Sequence, residues 1–257
     1  MKCKICKNQS KKKFDTVILK KHKIAYYFCT NCGFLQTSEP YWLKEAYAET
    51  INISDTGLIS RNLRLCKISS VLIYFLFNKE AKFVDFAGGY GIFTRLMRDV
   101  GFNFFWHDPY TVNLVSRGFE ITDNKNVVLL TSFEAFEHFV EPIAEIENML
   151  GMSENILFTT ELLPHPVPNP KQWWYYGLDH GQHVSFYSLQ TLKYIAKKYD
   201  LELHSSSGIH LLSSKKVNNL FYKSLIKGSS FGLFSYVKVN MKSKTVTDMY
   251  QLIKQGK

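Results

Sequence analysis

Residues Lys82–Tyr110 read KFVDFAGGYGIFTRLMRDVGFNFFWHDPY. Phe83-Val84-Asp85-Phe86 is a short apolar run carrying an acid near its end, the pattern of a buried strand. Ala87-Gly88-Gly89-Tyr90-Gly91 is a tight turn, and Ile92, Phe93, Leu96, Met97 and Val100 recur at helical spacing. Phe102–Trp106 is a second apolar run, and Asp108 follows it. The stretch therefore predicts strand, glycine turn, helix and strand. Such a unit binds a nucleoside at the carboxyl ends of parallel strands, because residues without side chains let the backbone approach the ligand. Asp108, 23 residues after Asp85, falls where a carboxylate accepts ribose hydroxyls.

Two ligand classes use this unit. A dinucleotide site spaces its glycines as GxGxxG and sets a pyrophosphate on the helix N-terminus. That spacing is absent, and an acid ahead of the turn repels a pyrophosphate, which argues against a nicotinamide-dependent oxidoreductase. Small residues at every second position after Asp85 (Ala87, Gly89, Gly91) instead resemble the DxGxGxG motif of class I S-adenosylmethionine-dependent methyltransferases, with Ala87 for the first glycine and Gly88 additional. The resemblance implies S-adenosylmethionine as cofactor. It would lie against Asp85, Ala87, Gly88, Gly89 and Gly91, with its ribose on Asp108.

A chain of 257 residues with 46% hydrophobic and 15% aromatic content is long and apolar enough for one main domain and a small appendage. Its start, MKCKICKNQSKKK, is not a secretory leader, and the longest apolar run, Val71–Phe77, cannot span a bilayer. A reducing cytoplasm is the expected compartment. Residues 1–32 hold nine lysines and one acid, whereas the other 225 residues hold 23 basic and 21 acidic side chains. That excess at the N-terminus suits an anionic partner or a solubilising surface. No basic helix interleaved with aromatics supports a nucleic-acid partner, and none is expected.

Four of the five cysteines form two pairs, Cys3-x-x-Cys6 and Cys29-x-x-Cys32, with 22 residues between. Each pair offers two thiolates to one tetrahedral ion, and together they predict a zinc ribbon with structural Zn2+. Four thiolates leave no open position for a substrate, and in so small a module the metal supplies much of the folding energy. Cys66 lies in an apolar run and reads as core.

Helices are expected over 41–48, 58–77, 141–150, 189–199 and 217–226, the fourth capped by Ser188. Tyr41, Trp42 and Tyr47 are core or pocket caps. Further strands are expected near 119–121, over 127–131 and 155–160, and as a hairpin of 201–205 and 209–213; an added strand is expected over 231–239. Ser132–Phe139 follows the fourth strand and resembles the E-x-x-E-H segment of many small-molecule methyltransferases, which implies Phe133 and Glu134 beside the adenine and His138 near the methyl group. As an alternative, Glu137 and His138 cap the following helix. Four alternating prolines (164, 166, 168, 170) then precede Trp173-Trp174-Tyr175-Tyr176, a buried cluster or an acceptor wall.

The zinc knuckles, the glycine turn and His180-Gly181-Gln182-His183-Val184-Ser185 together resemble bacterial methyltransferases related to the sugar C-methyltransferases of deoxysugar biosynthesis. Those enzymes carry a "Y-H-E-H-(L/V)-S" segment whose last histidine is the base. It falls on His183; their glutamate falls on Gln182 and their tyrosine on His180. The resemblance covers about residues 1–213. Methyl transfer to a hydroxyl or carbon acid needs a base that works near neutral pH, which histidine supplies. His183 is the expected base, His180 its helper, and His138 approaches from the neighbouring loop.

The expected architecture is α/β: a Rossmann-like seven-stranded methyltransferase core with a small N-terminal zinc ribbon. Its parts are the ribbon (1–40), a helical segment over the active site (41–80), the core (81–213) and a C-terminal extension packed on it (214–257). The expected acceptor is a small polar molecule, a nucleotide-linked sugar or glycan intermediate first among them. The rival reading is a catalytically silent binding protein whose ribbon recruits an anionic partner.

Overall fold

The computed structural model describes residues 1–48 and 55–256. Along the chain run β1 (Lys11–Ile18), β2 (His22–Phe28), β3 (Leu35–Thr37), α1 (Leu43–Ala46), α2 (Leu58–Leu76), β4 (Lys82–Phe86), α3 (Ile92–Val100), β5 (Asn103–His107), β6 (Val127–Ser132), α4 (Pro142–Leu150), β7 (Asn155–Thr159), β8 (Ser185–Phe186), α5 (Leu189–Lys198), β9 (Glu202–Ser206), β10 (Ile209–Ser213), α6 (Asn219–Gly228), α7 (Phe234–Asn240) and α8 (Thr245–Lys254). Ser54-Asp55-Thr56-Gly57 reads in the sequence as a turn or helix start, and its first residue lies outside the described residues.

The larger sheet has the order β5-β4-β6-β7-β10-β9, with β5, β4, β6 and β7 parallel and β10 antiparallel to both neighbours. Alternation along each strand sends side chains to two faces. Val84, Phe86, Leu130, Ile156 and Phe158 join one buried cluster, which includes Ile146 of α4 and Leu192 of α5. Phe83, Leu129, Leu157 and Leu211 join the other, with Val71 of α2, Met97 of α3 and Tyr222 of α6. The sheet is thus covered on both faces, as a parallel sheet must be.

Six strands stand where seven were expected. The third one shrinks to a single parallel bridge between Trp106 and Glu120. Only two backbone bonds form there, Trp106 N–H to the Phe119 carbonyl (2.8 Å) and Ile121 N–H to the Trp106 carbonyl (2.9 Å). Gly118, at φ 88°, ends the run on one side, and the polar turn at Asp123 follows on the other. The predicted strand over 231–239 is also corrected: the segment is a kink at Phe231 and Gly232 (φ 101°) followed by α7. Its alternating apolar residues lie on a helix that buries Val237 against the sheet's helical layer.

The smaller sheet, β1-β2-β3-β8, is antiparallel and draws its last strand from Ser185–Phe186, directly after the histidine segment. Trp173, Tyr175 and Tyr176 pack into the cluster behind it with Tyr26, Leu35 and Phe186. Three of the four aromatics read as an acceptor wall are therefore core, and only Trp174 is exposed. Trp42 is core as well, donating its indole N–H to the Gly181 carbonyl at 2.7 Å. Residues 214–257 carry nine lysines and one acid, Asp248, so the basic excess is at both ends of the chain. Asp248 is buried and takes a two-point contact from Arg98 of α3 (2.7 and 2.8 Å), which fixes α8 to the core. Among the described residues no helix is long and apolar enough to cross a membrane.

Candidate active site

The order of the parallel strands reverses beside β4, which pairs with β5 on one side and β6 on the other. At such a switch point the loops leaving two adjacent strands diverge and open a crevice at their carboxyl ends. The turn after β4 is Ala87–Gly91; the loop after β6 is Phe133–Phe139.

Asp85, buried at the end of β4, accepts hydroxyl bonds from Thr94 (3.0 Å) and Thr131 (3.1 Å). Burial nevertheless pushes its carboxyl up to about 7. Ala87 stands at φ 57°, in the left-handed region that disfavours a side chain, at the position where the related motif has glycine. Such an outlier persists only when the surroundings hold it. At Gly88 a Cβ would meet the Trp106 ring at 2.7 Å and an Asp85 carboxylate oxygen at 2.9 Å, so this position tolerates only bare backbone. Trp106 donates its indole N–H to the Gly89 carbonyl (2.8 Å), and Gly89 donates its N–H to Asp108 (3.0 Å). The other oxygen of Asp108 accepts from the N–H groups of Tyr110 and Thr111 (2.8 and 3.1 Å). Asp108 is thus bound to the turn it was expected to serve. Its carboxylate, with two oxygens and about four lone-pair positions, keeps about one of them, on Oδ2, for a ligand hydroxyl.

In the second loop, Phe133 packs edge-on against Phe93 of α3. Glu134 donates its backbone N–H to Thr159 Oγ1 and accepts that hydroxyl on Oε1, both at 2.8 Å. Arg61 of α2, which the sequence reading missed, reaches Glu134 Oε2 (3.4 Å) while clamping Asp55 (2.8 and 3.0 Å). No local motif marks Arg61; only the packing of α2 across the sheet brings it there.

Three residues further, Glu137 is 1% exposed, and its Oε2 has no hydrogen-bond partner among the described residues. Burial, with Glu134 nearby, pushes its carboxyl up to about 8. The role of helix cap considered for Glu137 and His138 is not taken, because α4 starts at Pro142 without a side-chain cap. His138, His180 and His183 come together: the rings of His138 and His183 stand 5.0 Å apart, edge to face, and those of His180 and His183 4.8 Å apart. His183 Nδ1 donates to the Tyr175 carbonyl (2.6 Å), which leaves Nε2 with its lone pair free. His138 Nδ1 lies 3.2 Å from the Gln182 carbonyl and 2.8 Å from the Tyr47 hydroxyl. His180 Nδ1 accepts the Gln182 N–H (3.1 Å), and its ring lies against Gly177, so it braces the loop. Burial drives His183 well below the ordinary imidazole range and His138 to about 4, so both are neutral near pH 7.

The four cysteines also meet. Their sulfurs all lie within 4.8 Å of one another, with Cys3 to Cys32 at 3.5 Å and Cys6 to Cys29 at 3.4 Å. A tetrahedral ion with sulfur at about 2.3 Å spaces its ligands at about 3.8 Å, and the set fits such an ion. Cys3, Cys29 and Cys32 are fully buried beside Phe34.

A family model described as methyltransferase domain matches residues 60–206. The chain belongs to the methyltransferase-domain family. Its matched part spans α2 through β9 and so contains the glycine turn, the Glu134–His138 loop and the histidine segment. No curated protein matches the chain. Among solved structures, similarity is found to CalO1, a methyltransferase in calicheamicin biosynthesis in its SAH-bound form, at 12% identity and a TM-score of 0.45 over 67% of this chain and 59% of that one. An O-methyltransferase family protein from Burkholderia thailandensis is 15% identical, with a TM-score of 0.45 over 66% of each chain. Human N-acetylserotonin methyltransferase in complex with SAM is 14% identical, with a TM-score of 0.41 over 67% of this chain and 65% of that one. This methyltransferase-domain chain thus spans 59 to 66% of those three structures' lengths.

Proposed function

We propose that the chain is an S-adenosylmethionine-dependent methyltransferase acting on a small hydroxyl-bearing acceptor, with a sugar, nucleotide-linked or glycan-attached, as first choice. The observation that carries the reading is the parallel pairing of β4 with β6, which sets side by side the glycine turn after β4, crowded at Gly88 and Gly91, and the loop after β6 that leads to the neutral histidines. The bound cofactor supplies an electrophilic methyl group on a positively charged sulfur. Asp85, Ala87, Gly88, Gly89 and Gly91 are proposed to shape the pocket for its methionine and ribose, Asp108 to take the ribose hydroxyls, and Phe133 and Glu134 to flank the adenine.

The acceptor oxygen forms its bond to the methyl carbon as the carbon–sulfur pair of electrons returns to sulfur. The acceptor's proton leaves toward the histidine cluster. His183 is proposed to take it on Nε2, because Nδ1 is already committed to the Tyr175 carbonyl. His138 and His180 flank it, His180 by holding the loop. Cys3, Cys6, Cys29 and Cys32 are proposed to hold a structural Zn2+, which all four thiolates would enclose.

Calorimetric titration of zinc-loaded protein with S-adenosylhomocysteine, beside NAD and an Asp108→Ala variant, tests the cofactor. Micromolar binding of S-adenosylhomocysteine that the substitution abolishes, and none of NAD, is expected; absence of binding would leave the silent-scaffold reading. His183→Ala tests the base: label transfer to a panel of sugar nucleotides is expected to fall about 100- to 10,000-fold with cofactor affinity unchanged.

A further inference from the structure

Glu137, His138 and His183 have more in common than proximity. Each offers a ligating atom within 4.8 Å of the other two. The unpartnered oxygen of Glu137 is the sharpest observation, because a buried carboxylate oxygen without a donor is costly and calls for a partner. Both imidazoles are oriented alike. His183 gives Nδ1–H to the Tyr175 carbonyl, and His138 holds Nδ1 beside the Gln182 carbonyl (3.2 Å) and the Tyr47 hydroxyl (2.8 Å); with the proton on Nδ1 in both rings, each keeps Nε2 for another bond. A backbone carbonyl on the far nitrogen is the usual way a protein orients a metal-ligating histidine.

The local charge agrees. Glu134 and Glu137 lie within reach of a single cation, Arg61, which is already clamped to Asp55 and touches only Glu134 directly. A divalent ion would offset the remaining negative charge and occupy the lone pairs that the protein leaves free.

We propose that Glu137, His138 and His183 form a divalent-metal site at the acceptor end of the crevice. Two imidazoles and one carboxylate select a borderline ion of the first transition row over Mg2+ or Ca2+, and they leave positions open for oxygen ligands. The ligand class that fits is an acceptor with two adjacent hydroxyls, which closes a chelate on the ion. The inference rests on the reading that the acceptor meets this cluster. With the ion bound, His183 serves as ligand in place of proton acceptor: the ion lowers the pKa of the acceptor hydroxyl, whose proton goes to bulk water.

The site differs from the cysteine cluster in its ligand atoms, nitrogen and oxygen against sulfur, and the test uses that difference. Full-length protein holding a single equivalent of zinc, its thiolates filled and the second site empty, is titrated with Co2+ and followed by calorimetry and visible absorption, with zinc content measured alongside. One equivalent of Co2+ is expected, with weak ligand-field bands and no thiolate charge-transfer band. Glu137→Gln and His183→Gln are expected to weaken it at least about 100-fold, while both variants keep zinc, a cooperative unfolding transition and S-adenosylhomocysteine affinity. An equal Co2+ affinity in wild type and Glu137→Gln, or no Co2+ binding to the wild type, overturns the metal site and leaves the cofactor reading intact. Loss of S-adenosylhomocysteine binding in the wild type strikes the cofactor reading instead.

Discussion

The two clusters of metal-type ligands in this chain are built in opposite ways. The cysteine cluster draws all four sulfurs from the first 32 residues, and three of its cysteines are buried against Phe34 and the core behind it. Its valences are directed inward and are equal in number to what a tetrahedral ion requires. The Glu137/His138/His183 cluster joins two remote loops at the carboxyl end of the sheet, keeps both imidazoles partly exposed, and leaves a buried carboxylate oxygen unpartnered. A closed set stabilises and an open one reacts, so the first contributes to folding and the second costs stability in return for a place to bind.

This contrast predicts stability changes of opposite sign. Cys29→Ser removes a ligand that the core cannot replace. It is expected to destabilise the protein by roughly 4–5 kcal/mol or more, with loss of bound zinc, in line with the forfeit of a structural metal. Chemical denaturation with zinc analysis reads both, and an unchanged midpoint would falsify the structural role. Glu137→Gln, by contrast, replaces a buried carboxyl whose Oε2 lacks a hydrogen-bond partner. The metal-free crevice is expected to gain about 1–2 kcal/mol, the trade of function for stability seen at strained sites. A destabilised Glu137→Gln, measured the same way, would mean that the carboxylate is satisfied in the resting protein and that the comparison fails.

How much of each cluster can be read from the sequence follows from the same difference. Two CxxC pairs state their chemistry in local spacing, because both thiolates of a knuckle come from one turn. Asp85, the glycine turn and Asp108 are legible for a related reason, since strand, turn and helix are consecutive. His138, His180 and His183 could be named as candidates from the resemblance, but their meeting depends on the loop after β6 lying beside the segment before β8. Glu137 read equally well as a helix cap, and only burial distinguishes it. Arg61 is one charged residue of a long helix, and its sequence neighbours do not distinguish it. The aromatic run after the prolines reads equally as a buried cluster or as a wall, because a surface-lining aromatic and a core aromatic have the same letters; burial decides for the core at Trp173, Tyr175 and Tyr176. The partner that buries Tyr176 is Tyr26 in the N-terminal sheet. The missing third strand failed for want of length, since a Gly118 bend and a polar turn leave room for only two backbone bonds.

A finer comparison lies within the crevice, between its two buried acids. Asp85 has two hydroxyl donors and Glu137 has an orphaned oxygen, yet burial raises both carboxyls. In Asp85 the hydroxyls of Thr94 and Thr131 favour the ionised form, but they do not outweigh desolvation, and its carboxyl stands at about 7. Between an ordinary carboxyl value near 4 and that level, the folded protein holds a proton that the unfolded chain has released. Stability therefore decreases as pH rises through this window and levels off above about 7. In the Glu137→Gln background, where Asp85 is the remaining raised acid of the crevice, the slope is expected to reach at most about 1.4 kcal/mol per pH unit. Asp85→Asn in that background should flatten it, because the amide keeps the size of the side chain and does not titrate. Denaturation midpoints at pH 5, 6 and 7 with and without the second substitution decide the matter. Two parallel profiles would mean that Asp85 is ionised throughout, held so by the threonine hydroxyls, and that the acid beneath the glycine turn is as fully satisfied as the cysteine cluster.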